Sequence, residues 1–172
     1  MAKIYSAALP VTYVLLRILV VVNWLYGAAI VTLLALPHAQ WILKSFEMSP
    51  GPEADRVIWG MRAVAVLGLI AVPLNYAILK RLIAMVKTVR VGDPFVSDNA
   101  YRLQAIAWFL LLLQLLSIVI GTIGKAISSP AHPLHLDAGF SVTGWVAVLL
   151  TFILARVFAE GTLMREDLEG TV

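Results

Sequence analysis

Two histidines and an aspartate fall within six residues in His132-Pro133-Leu134-His135-Leu136-Asp137, and such side chains can ligate zinc or copper. Three ligands on one proline-constrained loop rarely close around a metal, so a fourth would have to come from His38 or Glu47. An ordinary polar loop with interfacial histidines is the simpler reading, and no metal or other cofactor is expected. A second set consists of amides in apolar surroundings: Asn23, Asn75 and Gln114. A hydrogen bond between Asn23 and Asn75 would stabilise a helix pair by about 0.6 to 2 kcal/mol. Gln114, deeper in its helix, needs a partner such as Thr151 or a backbone carbonyl, because an unmet polar group in lipid costs several kcal/mol. Those amides could line a hydrophilic path; without an acid or base beside them, structural glue is the better reading.

Charged residues within apolar runs are the third set. Arg62 enters its run by more than a helical turn, to snorkel outward, pair with Glu47, Glu53, Asp55 or Asp137, or bind an anion. Arg156 and Glu160 are spaced i,i+4, and Arg17 is expected to reach Glu160 from another helix. No nucleophile–base pair and no phosphate-binding glycine loop occurs, and with no cysteine in the chain thiolate chemistry is absent. An enzyme is not expected.

The elements carrying these residues are four apolar stretches, at about 11–36, 57–79, 103–126 and 140–160. Each supplies at least the roughly 20 helical residues that cross a hydrocarbon core of about 30 Å. The chain has 172 residues, 61 % hydrophobic and 13 % charged, too few polar groups to cover a water-soluble surface. The fold expected is an all-α integral membrane four-helix bundle, up-down, forming a single domain. The first stretch is longer than a signal-peptide core and Pro37-His38-Ala39-Gln40 is a poor cleavage site, so it reads as retained.

The net charge of +3 is unevenly placed. Lys3, Arg17, Lys80, Arg81, Lys87, Arg90, Arg102, Arg156 and Arg165 flank the N-terminus, the middle connection and the C-terminus; Lys44, Arg56 and Lys125 belong to the other two loops. By the positive-inside rule both termini and the middle connection face the cytoplasm, in a multi-pass bacterial inner-membrane protein. Anionic lipid headgroups account for this charge, and direct nucleic-acid binding is not expected.

The second helix should extend past Lys80, with Leu82, Met85, Val86 and Val89 on one side and Lys80 and Lys87 on the other. Gly92-Asp93-Pro94 should stop it, and Ser97 is the expected N-cap of the third helix. A hairpin over 80–104 would then project into the cytoplasm, next to a polar tail at 161–172 that can fold back beneath the bundle.

Two segments carry a family likeness. Gly92-Asp93-Pro94-Phe95-Val96-Ser97-Asp98-Asn99, followed by Arg102-Leu103 and Ile106, and Glu160-Gly161 through Leu163-Met164-Arg165-Glu166-Asp167-Leu168-Glu169-Gly170-Thr171-Val172 resemble a family of small bacterial four-helix membrane proteins, domain of unknown function 2975. The resemblance implies no catalytic residues. Because such members are often encoded beside small helix-turn-helix regulators, it implies control or sequestration of such a cytoplasmic partner. The partner-binding candidates are Arg90, Gly92, Asp93, Pro94, Phe95, Asn99, Arg102, Arg165 and Glu166. A small oligomeric transporter or channel is the alternative; a homo-oligomer would assemble through Gly27-Ala28 and Ser117-Gly121-Gly124. The remaining alternative is an outer metal- or lipid-binding site using His132, His135 and Arg62.

Overall fold

The computed structural model describes residues 2–35, 49–128 and 138–169, and over them the fold is four helices. α1 is Ala2–Ala35, α2 Pro52–Val91, α3 Ser97–Ile127 and α4 Val142–Glu169. All four are long and apolar enough to cross a membrane. Within the most apolar windows only 11 % of α1 and α4, and 22 % of α2 and α3, is buried inside the chain. Side chains such as Val21, Leu25, Leu149 and Ile153 are exposed all round the helices, a surface that lipid covers and water would not tolerate. The chain is a multi-pass integral membrane protein.

Successive helices run antiparallel. The start of α1, the end of α2, the start of α3 and the end of α4 meet at one end, called here the tip end. At 40 residues α2 is about 60 Å long, twice the hydrocarbon thickness, so its last turns project well beyond the apolar layer. Pro52 at its first turn and Glu53 and Asp55 beside it suit a helix start. It therefore begins ahead of the apolar stretch at 57–79. α1 runs through Pro10.

Packing follows chain order: α1 on α2, α2 on α3, α3 on α4. Among the described residues α1 and α4 do not touch, so the bundle is open on that side and Arg17 does not reach Glu160. Small residues set the close approaches. A side chain on Gly27 would meet Val72 at 3.2 Å, and one on Gly121 would lie 2.6 Å from the Ala138 carbonyl oxygen. Ser117 Oγ accepts from Gly139 N–H at 3.1 Å and also lies 3.2 Å from the Gly139 carbonyl oxygen, pinning the approach to α4 onto α3. Gly27, Ser117 and Gly121 are thus occupied within one chain, and the oligomeric reading no longer has them as a free assembly surface.

α4 does not stop at the end of its apolar stretch. It continues through Gly161 to Glu169, so 161–169 is the last part of this helix and not a separate tail folded back beneath the bundle.

Candidate functional site at the hairpin tip

The turn between α2 and α3 is built from the backbone outward. Gly92 adopts φ 90°, a left-handed conformation that costs a residue without a Cβ little. Its N–H donates to the Val89 carbonyl and that of Asp93 to the Thr88 carbonyl, both at 3.1 Å, which closes the helix end. Pro94 then enforces an extended exit. α3 is capped by Val96 in extended conformation with no side-chain cap bond, not by Ser97. The turn is short enough that the Asn99 N–H reaches the Val96 carbonyl at 2.9 Å, which places Ser97 already inside the helix.

Asn99 is the centre of this structure and is fully buried. Its Nδ2 donates to Thr88 Oγ1 at 2.7 Å and to the Pro94 carbonyl at 2.9 Å, while its Oδ1 accepts from Arg102 Nη1 at 2.8 Å. The Thr88 hydroxyl in turn donates to the Met85 carbonyl at 2.7 Å. Arg102 is held from its other side by Asp98, 2.7 Å away. One side chain thus ties the end of α2, the turn and the start of α3 together.

The end of α4 completes the tip. The Phe95 ring lies against Gly161, where an added Cβ would sit 3.0 Å from Cδ1, and its centroid is 5.2 Å from that of Phe158. Asp93 is ion-paired with Arg165, and Thr162 is buried with its hydroxyl donating to the Phe158 carbonyl at 2.8 Å. Between α3 and α4 lies a half-open groove of about 570 Å³, lined by Tyr101, Gln104, Phe152, Arg156, Leu163 and Glu166 among others. Tyr101 and Leu163 of its lining stay exposed, as does Met164 next to Leu163.

The partner-binding candidates therefore separate. Gly92, Asp93, Pro94, Phe95, Asn99, Arg102 and Arg165 are brought together as one braced knot, and Glu166 lines the groove. Arg90 instead turns towards α1, 5.8 Å from the Tyr13 ring centroid. Thr88 was not singled out by sequence reasoning. Its signal was available: Thr88 and Asn99 are the same number of residues from the centre of the Asp93-Pro94 turn. Gly161 as a seat for Phe95 carried no such signal.

The residues within the spans part from expectation in two places, at the Asn23–Asn75 pair and at Gln114. Asn23 Nδ2 donates to the Val72 carbonyl at 3.1 Å, and Asn75 is exposed, so the two amides are not partners. Gln114 is buried against Gly144 but its Nε2 has no partner among the described residues; the Thr151 hydroxyl donates to the Ala147 carbonyl instead. Arg62 is exposed and stands over the Trp59 ring at 5.2 Å, with no carboxylate paired to it among the described residues. Arg17 pairs with the Tyr13 hydroxyl, and Arg156 with Glu160 at 2.5 Å. His38, Glu47, His132, His135 and Asp137 lie outside the described residues, and so does 170–172.

The profile of the family described as protein of unknown function (DUF2975) matches residues 7–172. The chain belongs to this family. Neither a curated protein nor a solved structure matches it. In this DUF2975 chain the two segments that carry the likeness, the Gly-Asp-Pro-Phe turn and the Glu160-Gly161 stretch, are in direct contact through Phe95 on Gly161 and Asp93 on Arg165.

Proposed function

We propose that the protein is a non-enzymatic inner-membrane docking partner whose tip faces the cytoplasm and binds a soluble protein. A small helix-turn-helix regulator held at the membrane is the partner class that the family likeness suggests. The observation carrying this reading is the pairing of a rigid knot with an open groove. Asn99, Phe95 and Arg165 immobilise the three helix ends, and next to them Tyr101, Leu163 and Met164 leave apolar surface exposed amid charged residues. A purely structural cap would bury those side chains. Preorganised surface with apolar contacts and a polar rim is the usual anatomy of a protein-binding patch.

Photo-crosslinking residues placed at Tyr101 and at Leu163, with the full-length protein in its native membrane, test the reading. One identified soluble protein should be trapped at both positions and not at lipid-facing Val119. The same adduct should weaken at least tenfold in a variant with Asn99→Leu, which loosens the knot. Adducts only with lipid or with the chain's own helices would overturn it.

A further inference from the structure

A separate concentration of charge lies at the tip end between α1 and α2. Arg17, Lys80 and Lys87 line a pocket of about 310 Å³, with Val20, Tyr76 and Ile83 among its other walls. Arg90 stands nearby over the Tyr13 ring, and the Tyr13 hydroxyl accepts from Arg17 Nε at 3.2 Å and Nη2 at 3.0 Å, which fixes the guanidinium at the pocket.

Among the described residues no carboxylate is ion-paired with this surface. Residues 2–35 include no Asp or Glu, and the acidic residues of α2, Glu53 and Asp55, are at the opposite end. Of the tip-end carboxylates, Asp93, Asp98 and Glu160 are engaged by Arg165, Arg102 and Arg156, and Glu166 and Asp167 belong to the end of α4, on the other side of the molecule. Four cations around one cleft repel one another and set up a positive potential that an anion relieves. Towards the membrane interior the pocket adjoins apolar surface: Val21, Trp24 and Leu25 of α1 are exposed, and the Trp24 ring is 5.6 Å from that of Tyr76. A ligand suited to both parts has an anionic head and a hydrocarbon tail.

We propose that this cleft binds one anionic phospholipid, its headgroup phosphate held among Arg17, Lys80 and Lys87 and an acyl chain lying along α1. Basic pockets between membrane helices at the headgroup level are suited to such lipids. With four cations present, a headgroup bearing two phosphates is preferred over one bearing a single phosphate. The site is on the α1–α2 side, away from the α3–α4 groove, and does not depend on the docking function or on which face of the membrane the tip occupies.

The test is native mass spectrometry of the full-length protein in detergent. It is titrated with tetraoleoyl cardiolipin, dioleoyl phosphatidylglycerol, dioleoyl phosphatidylcholine and inorganic phosphate. One cardiolipin per chain should be retained, at least tenfold more tightly than phosphatidylcholine, with phosphatidylglycerol between them. Neutralising a cation should weaken cardiolipin roughly fivefold, so Lys87→Gln gives about fivefold and Arg17→Gln with Lys80→Gln and Lys87→Gln about a hundredfold. Arg156→Gln, in the other groove, should leave binding unchanged. Lys87→Gln serves if the triple variant loses helicity, because an exposed lysine contributes little to folding. Equal retention by the variants, or equal affinity for phosphatidylcholine, would overturn the proposal. Displacement of cardiolipin by millimolar inorganic phosphate would overturn the lipid assignment in favour of a soluble phosphate ligand.

Discussion

Asn99 and Gln114 are both buried amides on α3, and they are held very differently. Asn99 makes all its donor bonds and accepts from Arg102, so Asn99→Leu strands Thr88, the Pro94 carbonyl and the Arg102 guanidinium together. The expected loss is on the order of 3 kcal/mol, since each orphaned buried polar group costs about 1 to 3. Gln114 Nε2 already has no partner among the described residues. Gln114→Met keeps the volume and removes the orphan donor, so it should be neutral or stabilising by up to about 1 kcal/mol. Thermal unfolding in one detergent compares the pair. A large loss at Gln114 would show that its amide has a bound partner. Hydropathy marks Gln114 as polar in an apolar run and places Asn99 in the polar turn before it, but says nothing about the partners of either. That depends on the register between helices, which for Asn99 is set by a tight turn and for Gln114 by packing against Gly144 some 30 residues on in sequence.

At the level of elements, what was legible and what was not follows from the same cause. Four spans, the stop at Gly92-Asp93-Pro94 and a projecting hairpin are local properties, written in runs of apolar residues and one glycine–proline turn. Which side of each helix meets its neighbour is not local. The spans are apolar on every side, and sequence alone does not orient them. Asn23 therefore finds the Val72 carbonyl in place of Asn75, and Arg17 finds Tyr13 in place of Glu160. The continuation of α4 past Gly161 was hidden because glycine is usually a helix stop; here it is the seat for Phe95. Phe95→Ala should release that end. Hydrogen exchange at 161–167 should speed at least tenfold while α1 is unchanged, and slow exchange would mean that α4 is held without Phe95. The Asp93–Arg165 pair is half-exposed, so a double-mutant cycle with Asp93→Asn and Arg165→Gln should give a coupling of no more than about 1 kcal/mol.

For the whole molecule the decisive property is the charge difference between its ends. The tip end carries Arg17, Lys80, Arg81, Lys87, Arg90, Arg102, Arg156 and Arg165, and the opposite end has Arg56, Arg62 and Lys125 among the described residues. Retention of basic segments on the cytoplasmic side acts on flanking Lys and Arg and is nearly indifferent to Asp and Glu, so the tip's carboxylates do not cancel the bias. The expectation is a cytoplasmic tip. The absence of cysteine makes the measurement direct, because a single introduced thiol is the only one to react. Ser97→Cys places it on the exposed surface of the tip and Ser141→Cys at the opposite end. In intact cells a membrane-impermeant maleimide should label Ser141→Cys and spare Ser97→Cys, and permeabilisation should expose both. The reversed pattern would turn the groove and its exposed Tyr101 and Leu163 away from every soluble cytoplasmic protein and remove the proposed docking function. The lipid site would be untouched, because a cleft between α1 and α2 meets headgroups in whichever leaflet the tip end lies.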